Sequence, residues 1–124
     1  MEGAGLETLT LILQSAPYGD EKVWNGLRLA KALITATVGM KVNVFLLGDS
    51  VTAAKKGQKP PEGFYNLEKM LQDLVGQHVE VVACRTCVSA RGLTQQDLVE
   101  GVRVGTTVGD LAQWVKESQK VLSF

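Results

Sequence analysis

A chain of 124 residues, 45% hydrophobic and 21% charged, has the size and balance of one globular domain, expected to span 1–124. Thirteen Lys and Arg residues offset thirteen Asp and Glu residues, so no net charge draws the protein to nucleic acid or to an anionic membrane. No apolar run approaches the roughly 20 residues that cross a bilayer. The start is acidic where a signal peptide is basic, so the expected setting is the cytoplasm.

In chain order, LETLTLILQ (6–14) is short and apolar and runs into the turn-rich Ser15-Ala16-Pro17-Tyr18-Gly19-Asp20, which predicts a buried strand and a loop. Over 21–38 apolar residues recur at helical spacing, at Val23, Leu27, Ala30, Leu33 and Ile34, with Asp20 placed to cap the helix and Gly39 to end it. KVNVFLLG (41–48) predicts a second strand. The stretch 49–63 carries Lys55, Lys56 and Lys59 beside Pro60-Pro61 and predicts an exposed basic loop, with a partner-binding lid as its alternative role. A helix is expected over 64–77, with Leu67, Met70, Leu71 and Leu74 on one face. A third strand follows over 78–84. Then come a short helix over 94–101, opened by Thr94 with Asp97 in a weak capping box, and a fourth strand over 102–105. Thr106 or Thr107 caps a last helix over 108–119, and 120–124 closes the chain as a fifth strand.

Alternation of this kind means α/β: three layers, a mostly parallel five-stranded sheet and helices on both faces. The apolar Phe124 should be tied down, in the sheet or against another subunit.

Both cysteines lie in VVACRTCVSARG (81–92). In open parallel sheets, sites form beyond the carboxyl ends of the strands, and Cys84 is the last residue of the third. Loop amides there, with Arg85 and Arg91, would stabilise a thiolate, as a sulfur nucleophile requires. Loops carrying Tyr18 and Gly19, Gly48, Asp49 and Ser50, and Gly105, Thr106 and Thr107 open onto the same edge as pocket walls. The plainer reading of either thiol is a small buried hydrophobe, and the pair also has the spacing of a dithiol.

Two cysteines are half of a tetrahedral zinc site. His78 starts the strand that Cys84 ends, about 20 Å away along extended chain. Neither a metal nor a Cys–His pair is therefore expected. No Walker loop or dinucleotide fingerprint occurs, and no cofactor is expected. GTTVG (105–109) could receive a phosphate at a helix N-terminus or be a plain cap. Trp24 and Trp114 are expected to pack rather than to stack on a ligand.

APYGDEKVWNGLRLAKAL, VEVVACRTCVSARGL and VGDLAQWVKESQKVLSF together resemble the DsrE/DsrF-like family, with its YchN-like and TusD-like sulfur-relay branches. Tyr18-Gly19 resembles the first loop of the family, and Cys84 with Arg91-Gly92 its sulfur-carrying motif. Cys87 resembles the second cysteine of the YchN-like branch. The resemblance implies a flavodoxin-like layout, homo-oligomeric trimers or hexamers, and a persulfide carried on Cys84. Cys87 would then be a resolving thiol, with Arg85, Arg91, Gly92, Tyr18, Gly19, Asp49 and Thr106 stabilising the thiolate or lining the pocket. Implied partners are further copies of the chain and sulfur donor and acceptor proteins, with neither nucleic acid nor membrane among them. Two other classes stand beside this one: an oligomer that binds a small ligand or nucleotide, and a regulatory or structural assembly without catalysis.

Overall fold

The structure, a computed structural model, describes residues 6–124; the acidic start at Glu2 lies outside them. Five strands form: β1 (Thr8–Leu13), β2 (Lys41–Leu46), β3 (Glu80–Cys84), β4 (Arg103–Gly105) and β5 (Lys120–Ser123). They pair in parallel in the order β4-β3-β2-β1-β5. The chain steps one way from β1 to β4 and then returns to the far side of β1. The three-layer parallel plan therefore holds with a strand order of its own. The flavodoxin order 2-1-3-4-5 reverses between its first and third strands; here the reversal lies between β1 and β5.

The period-two alternation of strands assigns the two sheet faces. Leu9, Leu11 and Leu13 of β1 and their partners Val42, Val44 and Leu46 of β2 are all buried. Leu13 packs against Gly26 of helix α1 (Lys22–Leu33), so this face lies under α1. Helix α2 (Leu67–Gly76) buries Leu67, Leu71 and Leu74 beside it. The opposite face belongs to helix α4 (Ala112–Glu117). There Thr10 bonds Ser118 through their hydroxyls at 2.7 Å, and Trp114 sets its ring edge-on to Phe45 at 6.1 Å. Right-handed crossovers dictate this split, because the last connection runs against the direction of the others. Full burial of each Leu or Val contributes about 1.5–3 kcal/mol.

The helix termini depart from the sequence expectation for local reasons. α1 stops at Leu33 rather than 38: the Thr35 hydroxyl donates to the Ala32 carbonyl, and β-branched Thr35, Thr37 and Val38 favour the turn that follows. The Asp20 carboxylate accepts from the Lys22 amide at 2.8 Å. α2 starts at Leu67 under an Asn66 cap, not at Phe64. Phe64 and Tyr65 instead join Tyr18 and Trp24 in an aromatic stack, with ring centroids 4.4–6.1 Å apart. The helix expected over 94–101 is a 3₁₀ turn, Gln95–Asp97, held by a Thr94/Asp97 capping box. α4 enters through a π-turn, Thr107–Leu111, that Thr106 caps. A six-residue helix, α3 (Arg85–Ala90), follows Cys84 directly.

The basic loop is anchored. Lys55 forms an antiparallel bridge with Leu98, and the Lys56 amide donates to the Asp97 carbonyl. The Gln58 side chain donates to the Ala53 and Lys55 carbonyls. Phe124 is tied into the sheet: its amide donates to Ile12 and its carbonyl accepts from Gln14, both at 2.8 Å. Among the described residues no helix is long and apolar enough to cross a membrane.

Candidate functional site

The β-branched run of β3 ends at Cys84, and α3 begins at the next residue, so Cys84 sits where strand turns into helix. In the ladder Phe45 pairs with Val82, and alternation then puts Val82 and Cys84 on the face that α4 covers. Cys84 pairs with Gly105 at the end of β4. A side chain at Gly105 would collide there, since its Cβ would stand 2.4 Å from Asp110 Oδ2 and 2.7 Å from Val82 Cγ1. The glycine lets the entry of α4 close against the strand end.

An open cleft of about 420 Å³ results, lined by Cys84, Arg85, Thr86, Thr106, Thr107 and Val108. Cys84 is 6% exposed at its floor, and Val108 is 79% exposed at its rim. The far wall is internally hydrogen-bonded. The Thr106 hydroxyl accepts from the Gly109 amide, and the Thr106 amide donates to Asp110 at 2.8 Å. Arg103 also donates to Asp110, at 2.7 Å. The Thr106 amide first, and Arg103 second, hold the Asp110 carboxyl below the usual carboxylate range; the charge of Arg85 adds to the effect.

Cys87 lies one helical turn on, and its sulfur meets a different wall. The Gly48 amide, from the turn after β2, donates to Cys87 Sγ at 3.1 Å. Burial, and then the neighbouring Cys84 thiol, push the Cys87 thiol above its ordinary value, while the Gly48 amide and Arg91 pull the other way. Arg91 locks this wall in place. Its Nη2 and Nε donate to Asp49 Oδ1 at 2.6 and 3.2 Å, and its Nη1 donates to the Cys87 carbonyl at 3.0 Å. Both cysteines are free thiols.

The residues singled out from the sequence thus divide four ways. Cys84, Arg85 and Thr106 share one cleft. Cys87, Asp49 and Arg91 form a clamp beside it. Gly92 ends α3: it has φ +71°, its amide donates to Ser89, and the Leu93 amide donates to Val88, the two bonds of a Schellman cap. Its role in the structure is to turn the chain. Tyr18 and Gly19 do not reach the cysteine cleft. They line a separate apolar cleft of about 360 Å³ with Gln58, Lys59, Pro60 and Phe64. The Tyr18 hydroxyl donates to Gln58 Oε1 and accepts from the Leu67 amide, which fastens the loop to the start of α2. Since β2 stands between β1 and β3 in the sheet, this loop has a neighbouring strand end to cross before it could touch Cys84.

Ser50 organises the same edge from inside and has no counterpart in the sequence reading beyond its place in a loop. Fully buried, it donates to the Leu13 and Leu47 carbonyls and joins the ends of β1 and β2. His78 sits in the turn before β3, at the opposite end of that strand from Cys84. Among the described residues no three His, Cys, Asp or Glu side chains converge as a metal site would need.

Comparison with known proteins follows the same outline. The DsrE/DsrF-like family profile matches residues 8–124. Protein YchN of Escherichia coli is 43% identical over 119 residues, which is 96% of this chain and all of that protein. The uncharacterized protein MK0008 of Methanopyrus kandleri is 42% identical over 97% of this chain and 96% of its own. The crystal structure of the Escherichia coli YchN protein superposes with a TM-score of 0.89 over 96% of this chain and all of that one. A protein of unknown function from Methanobacterium thermoautotrophicum, MTH1491, shares the fold at 20% identity and a TM-score of 0.75, covering 96% of this chain and 99% of its own. The chain belongs to the DsrE/DsrF-like family.

Proposed function

We propose that the protein carries sulfane sulfur as a persulfide on Cys84 and passes it to an acceptor thiol. The observation that carries this reading is the position of Cys84: the one thiol on the floor of an open cleft at the carboxyl edge of the sheet, next to the cationic Arg85. In the first step the Cys84 thiolate attacks the outer sulfur of a donor persulfide, and the donor thiolate leaves. In the second an acceptor thiolate attacks the same outer sulfur, and the Cys84 thiolate is released. No net oxidation occurs. Arg85, which lines the same cleft, supplies positive charge near the thiolate in both steps.

Family membership supports sulfur chemistry as the class. The exposed apolar Val108 beside the thiol suits docking of a donor or acceptor protein. A homo-oligomer belongs to the same proposal, supported by exposed Val115, Val121 and Leu122 on α4 and the edge strand β5, and sedimentation tests it. So does a reducing compartment such as the cytoplasm, which would keep both thiols free. The experiment is to incubate the reduced protein with a low-molecular-weight persulfide and map added sulfur by peptide mass spectrometry. Sulfur on Cys84, lost in Cys84→Ser, is the expected result. A protein whose Cys84 neither gains sulfur nor alkylates ends the reading.

A further inference from the structure

We propose that the protein also has a persulfide reductase activity, in which Cys87 resolves the Cys84 persulfide, releases sulfide and leaves a Cys84–Cys87 disulfide. This rests on the carriage reading above and adds a second, redox outcome for the same sulfur.

Three observations converge on Cys87. First, Cys84 is the extended N-cap of α3 and Cys87 its third residue, the position toward which an N-cap side chain turns. The disulfide that the pair would form needs Cβ atoms roughly 3.5–4.5 Å apart. Second, Cys87 Sγ receives an oriented backbone donor from outside its own helix, the Gly48 amide at 3.1 Å. A thiol that only fills space has no need of such a donor, whereas a thiolate that must form before attack does. Third, the donor is held on target. Arg91 bonds both Asp49, the residue after Gly48, and the Cys87 carbonyl, and so bridges the turn after β2 and the body of α3.

Position separates the roles. Cys84 lines the cleft, where a donor can reach it; Cys87 is half-buried behind it, facing Gly48. The pair therefore works in order. The Cys84 thiolate attacks the outer sulfur of R–S–SH; that S–S bond breaks, RS⁻ leaves and Cys84–S–SH forms. The Cys87 thiol gives its proton to water, and the thiolate attacks Cys84 Sγ. The bond from Cys84 Sγ to the outer sulfur breaks, and that sulfur departs with the electron pair as HS⁻. The sulfane sulfur gains two electrons, and the two cysteines lose two in becoming a disulfide. A further turnover needs an external dithiol to reduce that disulfide by exchange.

Either acceptor transfer or internal resolution can follow loading, and the internal route is open when no acceptor is docked. The sulfane-sulfur donor is the oxidant, so no oxygen or peroxide is required.

The test uses the full-length reduced protein, its Cys87→Ser variant and its Cys84→Ser variant, each freed of reductant and given equimolar glutathione persulfide without oxygen. Sulfide is measured colorimetrically, and the Cys84–Cys87 peptide is read by mass spectrometry. The expected result for the unmodified protein is close to one sulfide per chain and a peptide lighter by two hydrogens. Cys87→Ser should retain a persulfide on Cys84 and release at least tenfold less sulfide, and Cys84→Ser should do neither. If the unmodified protein holds its Cys84 persulfide as stably as Cys87→Ser does, the reductase proposal is overturned and carriage stands. If Cys84 gains no sulfur and no disulfide forms, both fall. Circular dichroism confirms that each variant is folded, and a glutathione adduct on either cysteine in place of the internal disulfide also overturns the proposal.

Discussion

The Gly48 amide donates to Cys87 Sγ across the gap between the β2 turn and α3. Despite that donor, Cys87 is held above the ordinary thiol value, because burial and the Cys84 thiol outweigh it. The folded protein therefore binds the Cys87 proton more tightly than the unfolded chain does. That contribution to stability is present in full below the free-thiol pKa of about 8.5 and is lost as pH rises through the folded value. Urea unfolding between pH 7 and pH 10 should show a steeper alkaline loss of stability than in Cys87→Ala. Alkylation of Cys87 should still be accelerating at a pH where a free thiol has reached its plateau. An equal slope in both proteins would show that the shift is absent.

Gly105→Ala tests the closeness of the cleft wall. The added Cβ would meet Asp110 Oδ2 and Val82 Cγ1, both inside 3.0 Å. Relieving the clash displaces Asp110 from the Thr106 amide, at a cost of about 1–3 kcal/mol. Denaturant midpoints measure the loss. Sulfur loading of Cys84, if Thr106 and Thr107 shape its access, should slow in the same variant.

Asp110→Asn removes the charge without adding volume. The side chain keeps a weaker bond to Thr106 and loses its ion pair with Arg103. A loss of about 1 kcal/mol is expected, as for other caps. Because the carboxyl is depressed, its contribution is present above the unfolded value of about 3.9 and fades as pH falls through the folded one. Acid titration of stability should therefore be shallower in the variant.

Ser50→Ala removes a fully buried hydroxyl donor, while the Leu13 and Leu47 carbonyls keep their bonds from the Leu47 and Ser50 amides. A loss of about 0.5–1.5 kcal/mol follows from the missing hydroxyl bond. The measurement that checks it is thermal unfolding followed at the carboxyl edge by hydrogen exchange of the 48–54 amides, which should speed up more than those of α2.

Asn43→Val should act in the opposite direction. Asn43 is buried on the α4 face of β2, and among the described residues its Oδ1 has no hydrogen-bond partner. An orphaned buried oxygen costs about 1–3 kcal/mol. Valine fits a strand and removes the orphan, so calorimetry should find the variant at least as stable as the natural chain. A marked drop would mean that the amide is held by a group such as a bound water.

The layered fold and the place of Cys84 were legible in the sequence because both follow from local pattern. Apolar runs of strand length alternate with helical periodicity, and the run that ends at Cys84 marks a strand end whatever the strand pairs with. The caps at Thr94 and Thr106 were legible for the same reason, since each bond spans three residues, whereas α1 has Glu21 at its cap position without a side-chain bond, and Asp20 stands one residue before it. Phe64 and Tyr65 were not: helical spacing extends through them, yet their rings gain more from stacking with Tyr18 and Trp24, residues more than forty positions distant.

Composition and periodicity by themselves determined the α/β layering, its five strands, and a thiol at the carboxyl edge, because hydrophobic burial and chain period act residue by residue. Only the tertiary structure decided the strand order, the separation of Tyr18 and Gly19 from the cysteine cleft, and the Gly48 amide on Cys87. Each of these depends on contacts between segments distant in sequence, with crossover handedness and steric fit choosing among arrangements that local pattern leaves equal.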